Sequence, residues 1–520
     1  MTELLSNYAA GRWQAGTGNG TPLFDPVLGN ELVRVDSTGL DLDETFAFAR
    51  QQGGAALRAL TYRERAALLA AIVNVLQANR DAYYEIATAN AGTVKNDSAV
   101  DIDGAIFTLG QYAKWGDALG DTRALRDGEA VKLGKEPVFQ SQHLQVPREG
   151  VALFINAFNF PAWGLWEKAA PALLSGMPVI VKPATATAWL TQRMVRDVVD
   201  AGVLPVGALS VIAGSSAGLM DQLQPFDVVS FTGSAETAGA IRAHPAVTHR
   251  SVRCGIEADS LNSAVLLPGE APGSEAFNLL VREVVREMTV KSGQKCTAIR
   301  RILVPAEVYD AAAEAIGAKL AGVTVGNPRN DSVRMGSLVS RAQLASVREG
   351  LAMLSAHTRV LHDGRDRPLV DADPALAACI GPVLLGARDA DTAQLVHDVE
   401  VFGPVATLLP YRDSAHAVVL TQRGRGSLVT SLYGRDEAAL TRITLAVAGS
   451  HGRVHVVTPD VGRAHSGHGN VMPMSQHGGP GRAGGGAELG GLRALDFYHQ
   501  RSAVQASPTV LAALGLPDLA

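Results

Sequence analysis

Apolar residues recur along this chain with two different periods, and the alternation between them predicts the architecture. From Thr61 the period is helical, with Ala67, Leu68, Ile72, Val75 and Leu76 on one stripe. Thr61-Tyr62-Arg63-Glu64 at its start has the form of a capping box, in which a Thr oxygen accepts a free helix N–H and Glu64 reaches back. From residue 150 short apolar runs at 151–155, 179–181, 209–212, 228–231 and 252–256 read as strands, and helical runs at 163–174 and 190–199 separate them. The rhythm resumes with strands at 263–267, 302–304 and 382–385 and a helix at 276–290. Short apolar strands alternating with helices predict parallel sheets covered on both faces, here two of them. Outside these regions, residues 1 to about 40 read as an irregular arm. Residues 131–153 are strand-like, with a hairpin at 132–135 and 142–146 that is either an inter-subunit arm or an internal hairpin. A Gly/His-rich stretch up to Gly491 reads as a long loop, and Leu495–Tyr498 with Ala503-Val504 as a closing strand.

Composition narrows the function classes. At 520 residues the chain exceeds one core, and 47% hydrophobic with 19% charged residues is ordinary for a soluble globular protein. A net charge of −5 without a dense Lys/Arg block argues against a nucleic-acid partner. No apolar run reaches the roughly 18 residues of a membrane span. The N-terminus lacks the basic region of a secretion signal. Cys254, Cys296 and Cys379 are odd in number and far apart, which points away from a disulfide framework and towards a reducing cytoplasm. The five histidines between His451 and His477 lack a nearby Cys pair, so no metal is expected.

Ligands of open parallel sheets bind outside the carboxyl ends of the strands. Asn159, Lys182, Gly214, Thr232 and Glu257 fall there. Cys296, in Gly293-Gln294-Lys295-Cys296-Thr297, follows a helical run and a glycine. It is a nucleophile if backbone N–H groups or cations lower its pKa, and otherwise a small apolar residue. Lys295 beside it either supplies such a cation or points to solvent. Glu257 is a general base raised towards neutrality by burial, or a solvated strand-end acid. Asn159, before Phe160-Pro161, offers two uncharged donors to an oxyanion, or merely forms a turn. Phe231-Thr232-Gly233-Ser234 passes from a strand into a helix N-terminus, where free N–H groups suit a pyrophosphate; no Gly-x-Gly-x-x-Gly is present.

Together, Asn159-Phe160-Pro161, Val181-Lys182-Pro183-Ala184, Phe231-Thr232-Gly233-Ser234, Glu257, Gly293-Gln294-Lys295-Cys296 and Glu400-Val401-Phe402-Gly403-Pro404 resemble, in order and spacing, the aldehyde dehydrogenase superfamily from about Trp13 to Ala506. The resemblance implies an α/β fold with two doubly wound parallel-sheet domains and a β-ribbon oligomerisation arm. The NAD(P)-binding domain would span 1–130 and 148–259, the catalytic domain 260–475, and the bridging strands 131–147 and 490–510. It also implies roles: Cys296 as nucleophile, Asn159 and the Cys296 N–H as oxyanion donors, Glu257 as the base for deacylating water, and Lys168 in a proton relay. Phe158, Lys182, Ala184, Thr185, Gly214, Gly218, Phe231, Thr232, Gly233, Ser234, Thr237, Glu400 and Phe402 would hold the cofactor. A homodimer or homotetramer is implied as well.

Three departures from the family pattern matter. Many relatives carry Glu at the position of Thr185, where it holds the adenosine ribose hydroxyls. Its absence admits a 2′-phosphate that Lys182 can pair with, so NADP is expected ahead of NAD. Glu257-Ala258-Asp259-Ser260-Leu261-Asn262 replaces the common Glu-Leu-Gly-Gly-Lys. His477-Gly478-Gly479-Pro480-Gly481-Arg482-Ala483-Gly484-Gly485 replaces the more usual Phe-Gly-Gly-x-Lys-x-Ser-Gly. These departures resemble a branch acting on small-molecule aldehydes linked to CoA in aromatic-compound degradation. The rival readings are a CoA-acylating dehydrogenase, a cofactor-free cysteine hydrolase and a non-catalytic protein retaining the fold.

Overall fold

The computed structural model describes residues 2–514. Two seven-stranded sheets carry the architecture. The first runs Arg253–Glu257, Val228–Thr232, Ala152–Ile155, Val179–Lys182, Leu209–Val211, Asn7–Ala9, Arg12–Gln14. Its first five strands are mutually parallel, and the two N-terminal strands extend it antiparallel. The N-terminal stretch is therefore part of a sheet rather than an irregular arm. Asn7 makes it so, because its side chain accepts from Ala213 N–H at 2.7 Å and donates to the Asp36 carbonyl at 2.8 Å.

The second sheet runs Arg359–Asp363, Val383–Gly386, Val405–Tyr411, Arg301–Pro305, Ser263–Leu266, Ser427–Tyr433, His451–Val457, parallel except for the first edge strand. In both sheets the central strands are apolar on both faces, as helices on either side require. The helix Tyr62–Ala78 begins with the capping box formed by Thr61 and Glu64, and Leu69, Ile72 and Leu76 on its inner face have no exposure.

A separate three-stranded antiparallel ribbon joins Leu125–Lys132, Gln140–Pro147 and His499–Ala506. Its first strand starts six residues before the expected 131, since alternation is lost in a mostly exposed strand with no buried face to pattern. The closing strand likewise begins at His499; Leu495–Tyr498 lies in and just after the 3₁₀ turn Gly491–Phe497. The Gly/His-rich stretch is not wholly loop, for Gln476–Gly478 and Ala487–Leu489 pair antiparallel. Among the described residues no helix is long and apolar enough to cross a membrane.

Candidate active site

The helix Glu275–Thr289 is capped by Ser274 and buries one face. Beyond its end the chain turns through three consecutive left-handed residues, Lys291 (φ 51°), Ser292 (φ 54°) and Gly293 (φ 70°). Such a run is strained for residues with a Cβ, and side-chain anchors hold it. Lys291 N–H donates to Asp97 at 2.8 Å, and Ser292 Oγ donates to the Gly336 and Ser337 carbonyls at 3.0 and 3.2 Å. A Cβ on Gly293 would lie 2.3 Å from the Gly403 carbonyl oxygen, so no side chain fits there. Arg300 completes the brace by donating to the carbonyls of Gly293, Lys295 and Gly403. Asn262 donates to the Cys296 carbonyl at 2.7 Å and that of Ala298 at 3.0 Å. Asn262, immediately before the strand Ser263–Leu266, thus secures the Cys296 loop directly.

Around Cys296 the structure gathers Asn159 and Glu257, which line one small cavity with it together with Glu167, Lys168 and Thr232. Asn159 Nδ2 donates to the Gln294 carbonyl at 3.1 Å, leaving its second N–H uncommitted. Among the described residues no hydrogen bond engages the Cys296 N–H. A second cavity of about 180 Å³ also reaches Cys296, past Phe107, Phe160, Trp163, Met472 and His477.

Two electrostatic expectations are corrected. Lys295 is not in solvent; it is buried and bonded to both Glu287 oxygens at 2.9 Å, and from there its charge lowers the Cys296 pKa by less than burial and Glu257 raise it. Burial and the neighbouring Glu257 charge push the Cys296 thiol up rather than down, so it rests protonated. Glu257 is not raised towards neutrality. Burial pushes its carboxyl up, but His477 and Lys168 outweigh burial and bring it down to about 2. His477 Nε2 lies 2.8 Å from Glu257 Oε2, close enough for an ion pair but not aligned as a hydrogen bond. Donor atoms of Glu257, Cys296 and His477 all lie within 4.8 Å of one another.

Lys168 is fully buried on the helix Trp163–Leu174. It donates to Thr232 Oγ1 at 2.5 Å and lies 3.5 Å from Glu488 and 3.8 Å from Glu167. Burial and the Glu488 charge push Glu167 well above the usual carboxylate range. Behind this cluster lies a cavity of about 630 Å³ bordered by Lys168, Ser230, Glu488 and Arg493.

The remaining predicted positions line the sheet edge. Phe158 meets Phe402 edge-on at 5.7 Å, and Arg300 stacks over Phe402 at 5.5 Å. Glu400 accepts from Ser260 N–H at 3.0 Å and faces Arg300 at 3.4 Å, with burial pushing its carboxyl up to about 7. Lys182 ends its strand, with Ala184 and Thr185 in the turn beyond it. Among the described residues Lys182 has no carboxylate in salt-bridge range, and burial alone lowers its pKa. Gly214 and Gly218 occupy the turn after Leu209–Val211. Phe231 and Thr232 end their strand, Gly233 follows, and Ser234 caps the helix Ala235–Ala243 by accepting from Thr237 N–H. Glu167, Asn262, Arg300, His477 and Glu488 were not predicted as site residues. His477 and Glu488 sit opposite each other in a three-residue strand pair too short to show a period.

The match to known proteins decides the family. The model of the aldehyde dehydrogenase family matches residues 13–504. The chain belongs to the aldehyde dehydrogenase family. It is an aldehyde-oxidising enzyme, of a family that uses NAD or NADP and converts aldehydes to acids. It is 57% identical to 3,4-dehydroadipyl-CoA semialdehyde dehydrogenase of Aromatoleum evansii, over 92% of this chain and 93% of that one. It is 26% identical to the NADP-dependent succinate-semialdehyde dehydrogenase of Escherichia coli, over 82% and 84% of the two chains. Among solved structures, Escherichia coli lactaldehyde dehydrogenase matches with a TM-score of 0.83 and 20% identity, covering 97% of this chain and 99% of that one. Betaine aldehyde dehydrogenase of Staphylococcus aureus in complex with NAD+ matches with 0.82 and 21%, covering 97% and 98%.

Proposed function

We propose that this aldehyde dehydrogenase oxidises a CoA-linked semialdehyde, 3,4-dehydroadipyl-CoA semialdehyde, to the carboxylic acid, with NADP as the preferred acceptor. The identity of 57% along nearly the whole of both chains carries the substrate. The convergence of Cys296, Glu257 and Asn159 on one cavity supports the chemistry.

Cys296 attacks the aldehyde as the thiolate, its thiol proton having passed to water. The developing oxyanion accepts from the free Asn159 N–H and the Cys296 N–H. Bound NADP supplies the hydride acceptor. Cys296 then carries a thioester, and Glu257 takes a proton from the water that releases the acid. Lys168, with Glu167 and Glu488, provides a proton path from Glu257 to the cavity behind. Lys182 fits a 2′-phosphate because it is a largely desolvated cation without a carboxylate partner. No carboxylate side chain stands at Thr185 to repel that phosphate. Phe158, Ala184, Gly214, Gly218, Phe231, Thr232, Gly233, Ser234, Thr237, Glu400 and Phe402 complete the nucleotide surface.

The first sheet and residues 1–130 and 148–259 form the cofactor-binding domain in this reading, and 260–475 the catalytic one. The ribbon exposes Val131 (62%) and Val138 (64%), which suits burial in a homodimer or homotetramer. Three free thiols suit the cytoplasm. The test is a panel of aliphatic, aromatic and CoA-linked semialdehydes with NAD and NADP side by side, without free CoA. Acid formation should be fastest with the CoA-linked substrate and NADP. Preference for a short unlinked aldehyde refutes the substrate, and dependence on free CoA refutes hydrolytic release.

A further inference from the structure

We infer that His477 is a positioning residue for Glu257, holding the carboxylate ionised and turned beside the Cys296 thiol. The inference rests on the reading above that Glu257 is the base. His477 Nε2 is 2.8 Å from Glu257 Oε2, and both side chains are enclosed, at 3% and 4% exposure. Neither His477 Nε2 nor Glu257 Oε1 has a hydrogen-bond partner, and Lys168 and the Cys296 thiol are the other polar groups acting on Glu257. A buried carboxylate without hydrogen bonds is costly unless a charge or donor faces it.

The imidazole borders the cavity of about 180 Å³ and is flanked on one side. Its ring meets Trp163 edge-on at 5.4 Å. Its backbone pairs with Glu488, and the next residue, Gly478 (φ 117°), has Gly486 O 2.0 Å from where a Cβ would be. The groups around the pair are Cys296 from the loop, Trp163, Glu167 and Lys168 from the helix Trp163–Leu174, and Glu488, cross-strand from His477. Lys168 is already engaged by Thr232, Glu488 and Glu167. Among the described residues His477 is therefore the side chain within salt-bridge range of Glu257, at the position where the family pattern it resembles carries Phe.

A protonated imidazole pairs with the carboxylate as an ion at this distance. That pairing favours ionised Glu257, so removing His477 raises the Glu257 pKa and shrinks its ionised fraction at a given pH. The acid limb of kcat/KM then moves to higher pH. The test compares the pH profiles of wild type, His477→Phe and His477→Gln, with Glu257→Gln in parallel. An opposite charge at this range is worth about 1–3 pK units, so His477→Phe should move the acid limb up by about that much. His477→Gln, which keeps a donor without the charge, should fall between, and it carries the measurement if His477→Phe does not fold. A wild-type acid limb in the folded variant, with Glu257→Gln inactive, overturns the inference alone. Full turnover by Glu257→Gln overturns the base reading and the inference with it.

Discussion

The Cys296 loop rests on a buried ion pair, and breaking that pair from one side is the sharpest test of how the loop is held. Lys295 Nζ lies 2.9 Å from both Glu287 oxygens, with both side chains 1% exposed. Lys295→Met removes the cation and leaves Glu287 charged in the interior. Orphaning one member of a buried pair costs about 3–5 kcal/mol. For a cooperative unit of roughly 200 residues, at about 2–4 °C per kcal/mol, the apparent melting temperature should fall by at least about 6 °C. Glu287→Leu alone should be comparably damaging, because it strands the ammonium. The double variant Lys295→Met/Glu287→Leu should recover most of the loss, since a hydrophobic replacement of both partners is often neutral. The assay is thermal unfolding at one protein concentration and scan rate, followed by near-ultraviolet dichroism, on all four proteins. A Lys295→Met melting temperature within about 2 °C of wild type, or a double variant no better than the worse single one, refutes the argument that this pair anchors the loop.

Three further outcomes follow from the same geometry. Thr185→Glu places a carboxylate at the proposed 2′-phosphate site; a unit charge about 4 Å away costs between about 1 and 4 kcal/mol depending on screening, so NADP affinity should drop roughly fivefold to a thousandfold while NAD is spared, as read by cofactor titration. Asn159→Ala removes the uncommitted side-chain donor near Cys296 and should lower kcat by about 100- to 1,000-fold with little change in cofactor binding, as expected for loss of one oxyanion donor. In Glu257→Gln the negative charge that burial reinforces in raising the Cys296 pKa disappears, so the thiolate fraction rises, and iodoacetamide should alkylate Cys296 faster than in wild type at neutral pH, measured by mass spectrometry of the Cys296 peptide.

The central scaffold was legible because buried strands write continuous apolar runs. The strand Val179–Lys182, the helix Trp163–Leu174 and the capped helix Tyr62–Ala78 lie where the pattern put them. The strands Asn7–Ala9 and Arg12–Gln14 were not, because three residues are too few to show a period and Asn7 is held by side-chain bonds rather than by a periodic face. The same holds at the site. Cys296, Glu257 and Asn159 stood out by residue type next to strand ends and glycine turns. His477 and Glu488 did not, since their approach to Glu257 and Lys168 depends on a glycine-rich hairpin formed by long-range contacts. The charge states were the least legible of all. Burial at Cys296, and His477 with Lys168 at Glu257, set the two pKa shifts against the catalytic alternative that the sequence offered for each, and no local pattern encodes either.

The claim on which the account turns is that aldehyde carbon passes through a thioester on Cys296 that Glu257 then releases. Rapid mixing of Glu257→Gln with substrate and NADP, followed through NADPH absorbance and mass spectrometry of the quenched protein, tests it directly. The account predicts one equivalent of NADPH per active site, an acyl adduct on Cys296, and then a stall. Steady turnover at the wild-type rate, or a burst with no adduct on Cys296, would contradict it.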